Sequence, residues 1–188
     1  LTWDIERGVP NKILPYPWQT DTCIGGWHYD RGIFERGHYK DAKTVIHMLA
    51  DIVSKNGNLL LNVPVRGDGS IDNKEEKILE DLAAWMKVNG EGIFATRPWK
   101  VFGEGPASAG TELSAQGFNE GKGKPFTAED VRYTVSKDGK TLYAIVMGVP
   151  EKPLPLTALG RSANAGSVRS ITLLGGESVK WKQEDNAL

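Results

Sequence analysis

The sequence predicts an α/β unit followed by an all-β unit, on three observations. Residues 41–90 read as helix, short apolar strand, loop and helix, the repeating unit of an α/β barrel or a doubly wound sheet. Residues 131–147 read as a hairpin, because Asp138-Gly139 separates two β-rich runs. Between them the composition shifts after about Trp99, and 103–125 turns rich in Gly, Ala, Ser and Lys. A chain of 188 residues holds one large domain or two small ones.

Residues 1–40 show no regular period. Pro10, Pro15, Pro17 and Gly25-Gly26 punctuate them, so they are expected to be a long loop, of the kind that walls a binding site. Their aromatics (Trp3, Tyr16, Trp18, Trp27, Tyr29, Phe34 and Tyr39) argue against a frayed end. Trp3, Trp18, Trp27 and Trp99 all fall in stretches that read as loops. A helix follows over 41–56, with Val45, Ile46, Met48, Leu49, Ile52 and Val53 on one broad face, Asp41 as N-cap and Gly57 as left-handed stop. Residues 58–63 read as a strand buried on both faces, which belongs to a parallel sheet.

Arg66-Gly67-Asp68-Gly69 is a loop, and Asp72 with Glu75 forms an acidic capping box for a second helix. That helix carries Ile78, Leu79, Leu82, Ala83, Trp85 and Met86 and stops at Asn89-Gly90. One such unit cannot close a sheet, so it calls for partners. Beyond it, strands are expected at 131–136, 141–147, 168–174 and 178–181, a small antiparallel sheet or sandwich.

Composition excludes several classes. With 39% hydrophobic and 25% charged residues the chain is neither disordered nor collagen-like. The net charge of -1 removes the electrostatic footprint of a non-specific nucleic-acid binder, and no apolar run approaches the ~20 residues of a membrane span. The one cysteine, Cys23, forms neither an intrachain disulfide nor a multi-cysteine zinc site. A start at Leu-Thr-Trp, without initiator methionine or leader, reads as a portion of something longer.

Several motifs fail. Arg66-Gly67-Asp68 spells an adhesion tripeptide, but its place between strand and helix cap makes it a turn. Asp68-x-Ser70-x-Asp72 has Asn73 and Leu79 where a calcium loop needs Gly and Glu. Gly103-x-Gly105 lacks the third glycine of a dinucleotide site. His28, His38 and His47 have no metal-ligand spacing, so no metal is expected. What remains is Asp4 and Glu6 near Trp18, Trp27, His28 and Tyr29. A carboxylate against aromatic walls suits a general acid, and aromatic faces stack on sugar rings. The same residue types fit solvated loop charges beside tryptophans that pack a core.

Asn56-Gly57-Asn58-Leu59-Leu60-Leu61-Asn62-Val63, Gly67-Asp68-Gly69-Ser70-Ile71, Trp85 through Phe94, Thr96-Arg97-Pro98-Trp99, Trp18 through Thr22 and Trp27-His28-Tyr29 together resemble the C-terminal part of α-L-fucosidases of glycoside hydrolase family 29. The likeness covers roughly residues 1–100 closely and the rest more loosely. It departs at Pro64, where the family commonly has Gly-Pro after Asn-Val, and at Gln19, where the family often has Glu. The resemblance implies the last βα units of a (β/α)8-like barrel over 1–100, followed by an antiparallel β-sandwich over 101–188, incomplete as given.

It also implies a retaining mechanism with two carboxyls about 5 Å apart. The nucleophile would be an Asp upstream of these residues. Glu6 aligns with the acid/base, with Asp4 and Glu35 as fallbacks, while Trp27 matches an aromatic closing the fucose pocket and His28 a second substrate contact. The implied partners are a fucosylated glycan and the remainder of the barrel, from missing polypeptide or another chain. The implied setting is secreted, periplasmic or lysosomal, and the isolated chain is expected to be inactive. The alternative is a non-catalytic carbohydrate-binding or structural β-sandwich module.

Overall fold

A computed structural model describes residues 2–188. It contains two three-stranded sheets with one helix between them. Strands β1 (Trp3–Glu6), β2 (Trp18–Cys23) and β3 (Gly57–Asn62) pair in parallel in that order, Trp3 opposite Trp18 and Trp18 opposite Gly57. Helices α1 (Arg31–Arg36), α2 (Ala42–Ser54) and α3 (Asn73–Asn89) accompany them. Strands β4 (Thr96–Glu104), β5 (Val131–Ser136) and β6 (Leu142–Val146) form the antiparallel sheet.

Residues 1–40 are therefore not one loop. Trp3 and Trp18 lie in β1 and β2, and Trp99 lies in β4, while Trp27 does sit in a connection. These strands hide from pattern reading for a physical reason. β1 is four residues long, and the core face of β2 alternates Trp18, Thr20 and Thr22, so hydroxyl groups stand where an apolar period is sought. The prolines fall in the β1–β2 connection, outside both strands.

Trp18 organises this half. Its fully buried ring packs with Ile5, Leu14 and Ile52, and its indole N–H donates to the Lys55 carbonyl at 2.9 Å. A Cβ on Gly57 would come within 2.4 Å of that ring. Gly57 is thus required by close approach inside β3, not as a helix stop. The left-handed residue ending α2 is Asn56, at φ 74°, and its side-chain amide donates to the Leu14 carbonyl at 3.0 Å. At the other end Asp41 accepts from the Thr44 amide at 2.7 Å, as expected of an N-cap.

β3 departs from its expected burial. Leu59 packs toward the Trp18 cluster, but Leu60 on the opposite face is 53% exposed. Helix α2 and the chain near Leu113 cover one face only. The Arg66–Gly69 segment is a turn: the Arg66 amide donates to the Ser70 carbonyl at 2.7 Å, and Asp68 is engaged by Ser70. The Asp72–Glu75 capping box forms, and Tyr39 donates its hydroxyl to Asp72 at 2.6 Å.

The β5–β6 hairpin turns through Gly139 at φ 72°. β4 joins it with a bulge between Pro98 and Gly103, which admits a proline on this edge strand. Of the strands expected at 168–174 and 178–181, only a bridge between Thr172 and Ser178 forms. Leu173, Val179 and Trp181 are exposed there, so their apolar side chains are not packed against a sheet.

Helix α2 packs against both sheets. At the seam, buried Asp51 accepts from Arg132 Nε of β5 at 2.5 Å and from Lys55 Nζ at 2.8 Å. The Arg132 guanidinium lies over the Phe102 and Phe126 rings. An Asp51→Ala variant leaves two buried cations unpaired and is expected to lose about 3–5 kcal/mol of unfolding free energy in urea titration. Replacing Asp51, Lys55 and Arg132 together by apolar residues of similar size is expected to cost less than that single change.

Candidate active site

In parallel α/β sheets, ligands bind beyond the carboxyl ends of the strands. At that edge stand Glu6, the last residue of β1, the Ile24–His28 connection after β2, and Asn62, the last residue of β3. Alternation along each strand decides what faces where. Ile5 and Trp18 point into the core under α2. Asp4, Gln19 and Asn58 therefore form one row across the opposite face, and Glu6, Asp21 and Leu60 the next. This second face is solvent-open, and polar apart from the exposed Leu60.

Glu6 is exposed, and among the described residues its carboxylate accepts no hydrogen bond. Asp4 is held by Gln19, whose amide donates to it at 3.1 Å. Glu35 lies on α1 and pairs with Arg31 at 2.8 Å. Trp27, 41% exposed, and the exposed His28 leave β2 through Gly25-Gly26. That passage is tight, since a Cβ on Gly25 would touch the Tyr39 ring at 3.0 Å. The Asn62 amide donates to both the Gly26 and Trp27 carbonyls at 3.2 Å, tying the connection to the end of β3. Glu6, Trp27 and His28 thus share one edge of the sheet, and Glu35 is engaged by Arg31 on α1.

A second cluster at this edge involves residues that sequence reasoning did not single out. Glu120, far along the chain, accepts from the Thr22 hydroxyl at 2.6 Å, from Lys40 Nζ at 2.8 Å and from Arg7 Nε at 3.3 Å. Lys40 also donates to the Cys23 carbonyl at 2.7 Å. Burial alone would push the Glu120 carboxyl up, but the hydrogen bonds from Lys40, Thr22 and Arg7 outweigh it and hold it below its ordinary value. Among the described residues no group of three His, Cys, Asp or Glu is placed to hold a metal ion.

The sequence matches two family profiles, α-L-fucosidase over residues 2–91 and α-L-fucosidase C-terminal domain over residues 124–188. The chain belongs to the α-L-fucosidase family. Its relatives include human plasma α-L-fucosidase, 32% identical over 181 residues, covering 94% of this chain and 33% of the relative. A Branchiostoma floridae α-L-fucosidase is 31% identical over 179 residues, covering 94% of this chain and 34% of the relative. Among solved structures, Thermotoga maritima α-fucosidase in complex with fucose superposes with TM-score 0.57 at 26% identity, over 73% of this chain and 28% of that one. Paenibacillus thiaminolyticus α-L-fucosidase isoenzyme 1 gives TM-score 0.58 at 26% identity, over 83% and 32%. The chain spans about a third of the length of the relatives it matches.

The Glu120 cluster sets a pH dependence. Its folded carboxyl titrates below the ordinary 4.5, so the unfolded chain binds the proton more readily, and the stability it confers is present above 4.5 and lost as pH falls below it. The difference in unfolding free energy between the parent chain and Glu120→Gln is expected to shrink as pH is lowered from 6 through about 4, as followed by denaturant titration at each pH.

Proposed function

We propose that the protein carrying these residues is a retaining exo-α-L-fucosidase that removes terminal α-L-fucose from glycans by double displacement. What supports this reading is the uncommitted Glu6 carboxylate on an open polar face at the carboxyl edge of a parallel sheet, with Trp27 and His28 at the same edge. The parallel strands with α1–α3 are then the last βα units of a (β/α)8-like barrel, and the β-rich domain that follows begins at β4, with Thr96, rather than at residue 101. The barrel's other strands would cover the polar face, and the nucleophilic Asp would come from one of them.

In this mechanism Glu6 gives its proton to the glycosidic oxygen as the bond to C1 breaks and the nucleophile attacks from the opposite side. It then takes a proton from the water that releases fucose from the covalent intermediate. The two carboxyls would stand about 5–5.5 Å apart. The Trp27 ring offers an apolar wall to the sugar's C5 methyl group, and His28 a hydrogen bond to a hydroxyl. The chemistry draws on no cofactor or metal. Plasma and tissue enzymes among the relatives support a site of action outside the cytoplasm, and among the described residues no helix is long and apolar enough to cross a membrane.

In the full-length protein, Glu6→Gln is expected to lower kcat/KM about 10²–10⁴-fold on fucosides with poor leaving groups, and far less on activated aryl fucosides, which leave without a proton. Its kcat is expected to fall on both, because the base that activates water is lost. Equal loss of kcat/KM on both would point to another acid. The 188 residues alone are expected to show no turnover of an aryl fucoside. Turnover near that of a full-length relative would contradict the division of carboxyls. Glycan binding by the full-length protein without any hydrolysis would favour the non-catalytic module.

A further inference from the structure

The end of β1 is held by a segment that enters from the other half of the molecule. The Phe118 amide donates to the Glu6 carbonyl at 2.9 Å, and the Glu120 amide to the Arg7 carbonyl at 2.9 Å. Asn119 brackets Val9, accepting from its amide at 2.8 Å and donating to its carbonyl at 2.9 Å. Residues 118–120 therefore run along 6–9 and bond them in turn. The fit is close. Gly117, at φ 78°, lies so near that a Cβ would sit 2.5 Å from the Glu6 carbonyl oxygen.

The backbone at the join is unusual on both sides. Arg7 has φ 43° and Phe118 φ 51°, a left-handed region that non-glycine residues seldom enter. Such conformations persist where the surroundings over-determine them. Here the surroundings are the Glu120 carboxylate, which gathers the Arg7 guanidinium, the Lys40 ammonium and the Thr22 hydroxyl. Arg7 is thus turned away from the strand's direction and fastened, immediately after Glu6. Thr22 and Lys40 carry the same fastening to the end of β2 and, through the Cys23 carbonyl, to the connection bearing Trp27.

We propose that the 117–120 segment is a positioning clamp for the acid/base, and that Glu120 is its key: a positioning residue that sets the backbone from which Glu6 reaches the glycosidic oxygen. This inference rests on the reading of Glu6 given above. A general acid must meet the leaving oxygen within hydrogen-bond reach, and a displacement of about 1 Å costs on the order of 10²-fold in rate. Glu6 forms no side-chain hydrogen bond of its own among the described residues, so its placement depends on its backbone. The clamp fixes that backbone from the second half of the chain, which gives the β-rich half a part in the chemistry while touching no reacting atom.

The test is made in the full-length protein with paired aryl fucosides of poor and good leaving-group ability. Glu120→Gln removes the charge that gathers Arg7 and Lys40. It is expected to lower kcat/KM about 10–100-fold on the poor leaving group and to leave kcat/KM on the activated one within about twofold. Glu120→Asp, which keeps the charge, is expected to recover part of the loss. Gly117→Ala leaves the Glu120 cluster intact but presses on the Glu6 carbonyl, and should produce the same selective loss if Glu120→Gln does not fold. Glu6→Gln runs alongside. If Glu6→Gln loses selectively while Glu120→Gln and Gly117→Ala fold and lose nothing, or lose equally on both substrates, the clamp is wrong and the acid assignment stands. If Glu6→Gln shows no selective loss, the acid assignment fails and the clamp fails with it.

Discussion

Asp51 lies where the two sheets meet across α2, and its carboxylate carries two cations at once. Lys55 approaches from its own helix and Arg132 from the middle of β5, at 2.8 and 2.5 Å. Burial lowers the proton affinity of Lys55, and the neighbouring Asp51 charge works against that. A buried ion set of this kind is weak evidence for net stability, since desolvation offsets much of the attraction. Its effect is geometric. It fixes how the antiparallel sheet sits on α2, and α2 in turn supports Trp18 and the parallel strands.

That geometry reaches the candidate active site along two routes. Lys55 also supplies the carbonyl that holds the Trp18 indole, so the residue that closes the seam anchors the centre of the parallel sheet. The chain between β4 and β5 then crosses to the carboxyl edge of that sheet and delivers Gly117, Phe118, Asn119 and Glu120 to the end of β1. The two halves are joined at both sites by charge and backbone hydrogen bonds, with Leu113 packing into the Trp18 cluster. Each half keeps its own hydrophobic cluster, around Trp18 in one and around Val131, Tyr133 and Leu159 in the other.

What could be read from the sequence was local. The Asp41 cap, the Asp72–Glu75 box, the Asp138-Gly139 turn and the parallel character of β3 each depend on residues within a few positions of one another. β1 and β2 escaped because their core face mixes Ile5 and Trp18 with threonines, and β4 because Pro98 interrupts it at a bulge. Gly57 was assigned to a helix stop when the constraint on it comes from a ring 39 positions earlier in the chain. Of the candidate site, the resemblance names Glu6, Trp27 and His28, which stand at or just beyond the carboxyl ends of β1 and β2. Asn62, Arg7, Thr22, Lys40 and Glu120 were not found, since Glu120 meets Thr22 across 98 positions and no local pattern announces such a contact.

The central claim is that Glu6 is the proton-transferring carboxyl. Azide rescue of Glu6→Ala in the full-length protein tests it most directly, because azide attacks the covalent intermediate without needing a general base. The account predicts that azide restores turnover of an activated aryl fucoside and yields a fucosyl azide with the anomeric configuration of the substrate. A fucosyl azide of inverted configuration would make Glu6 the nucleophile, and full activity without azide would remove it from the chemistry.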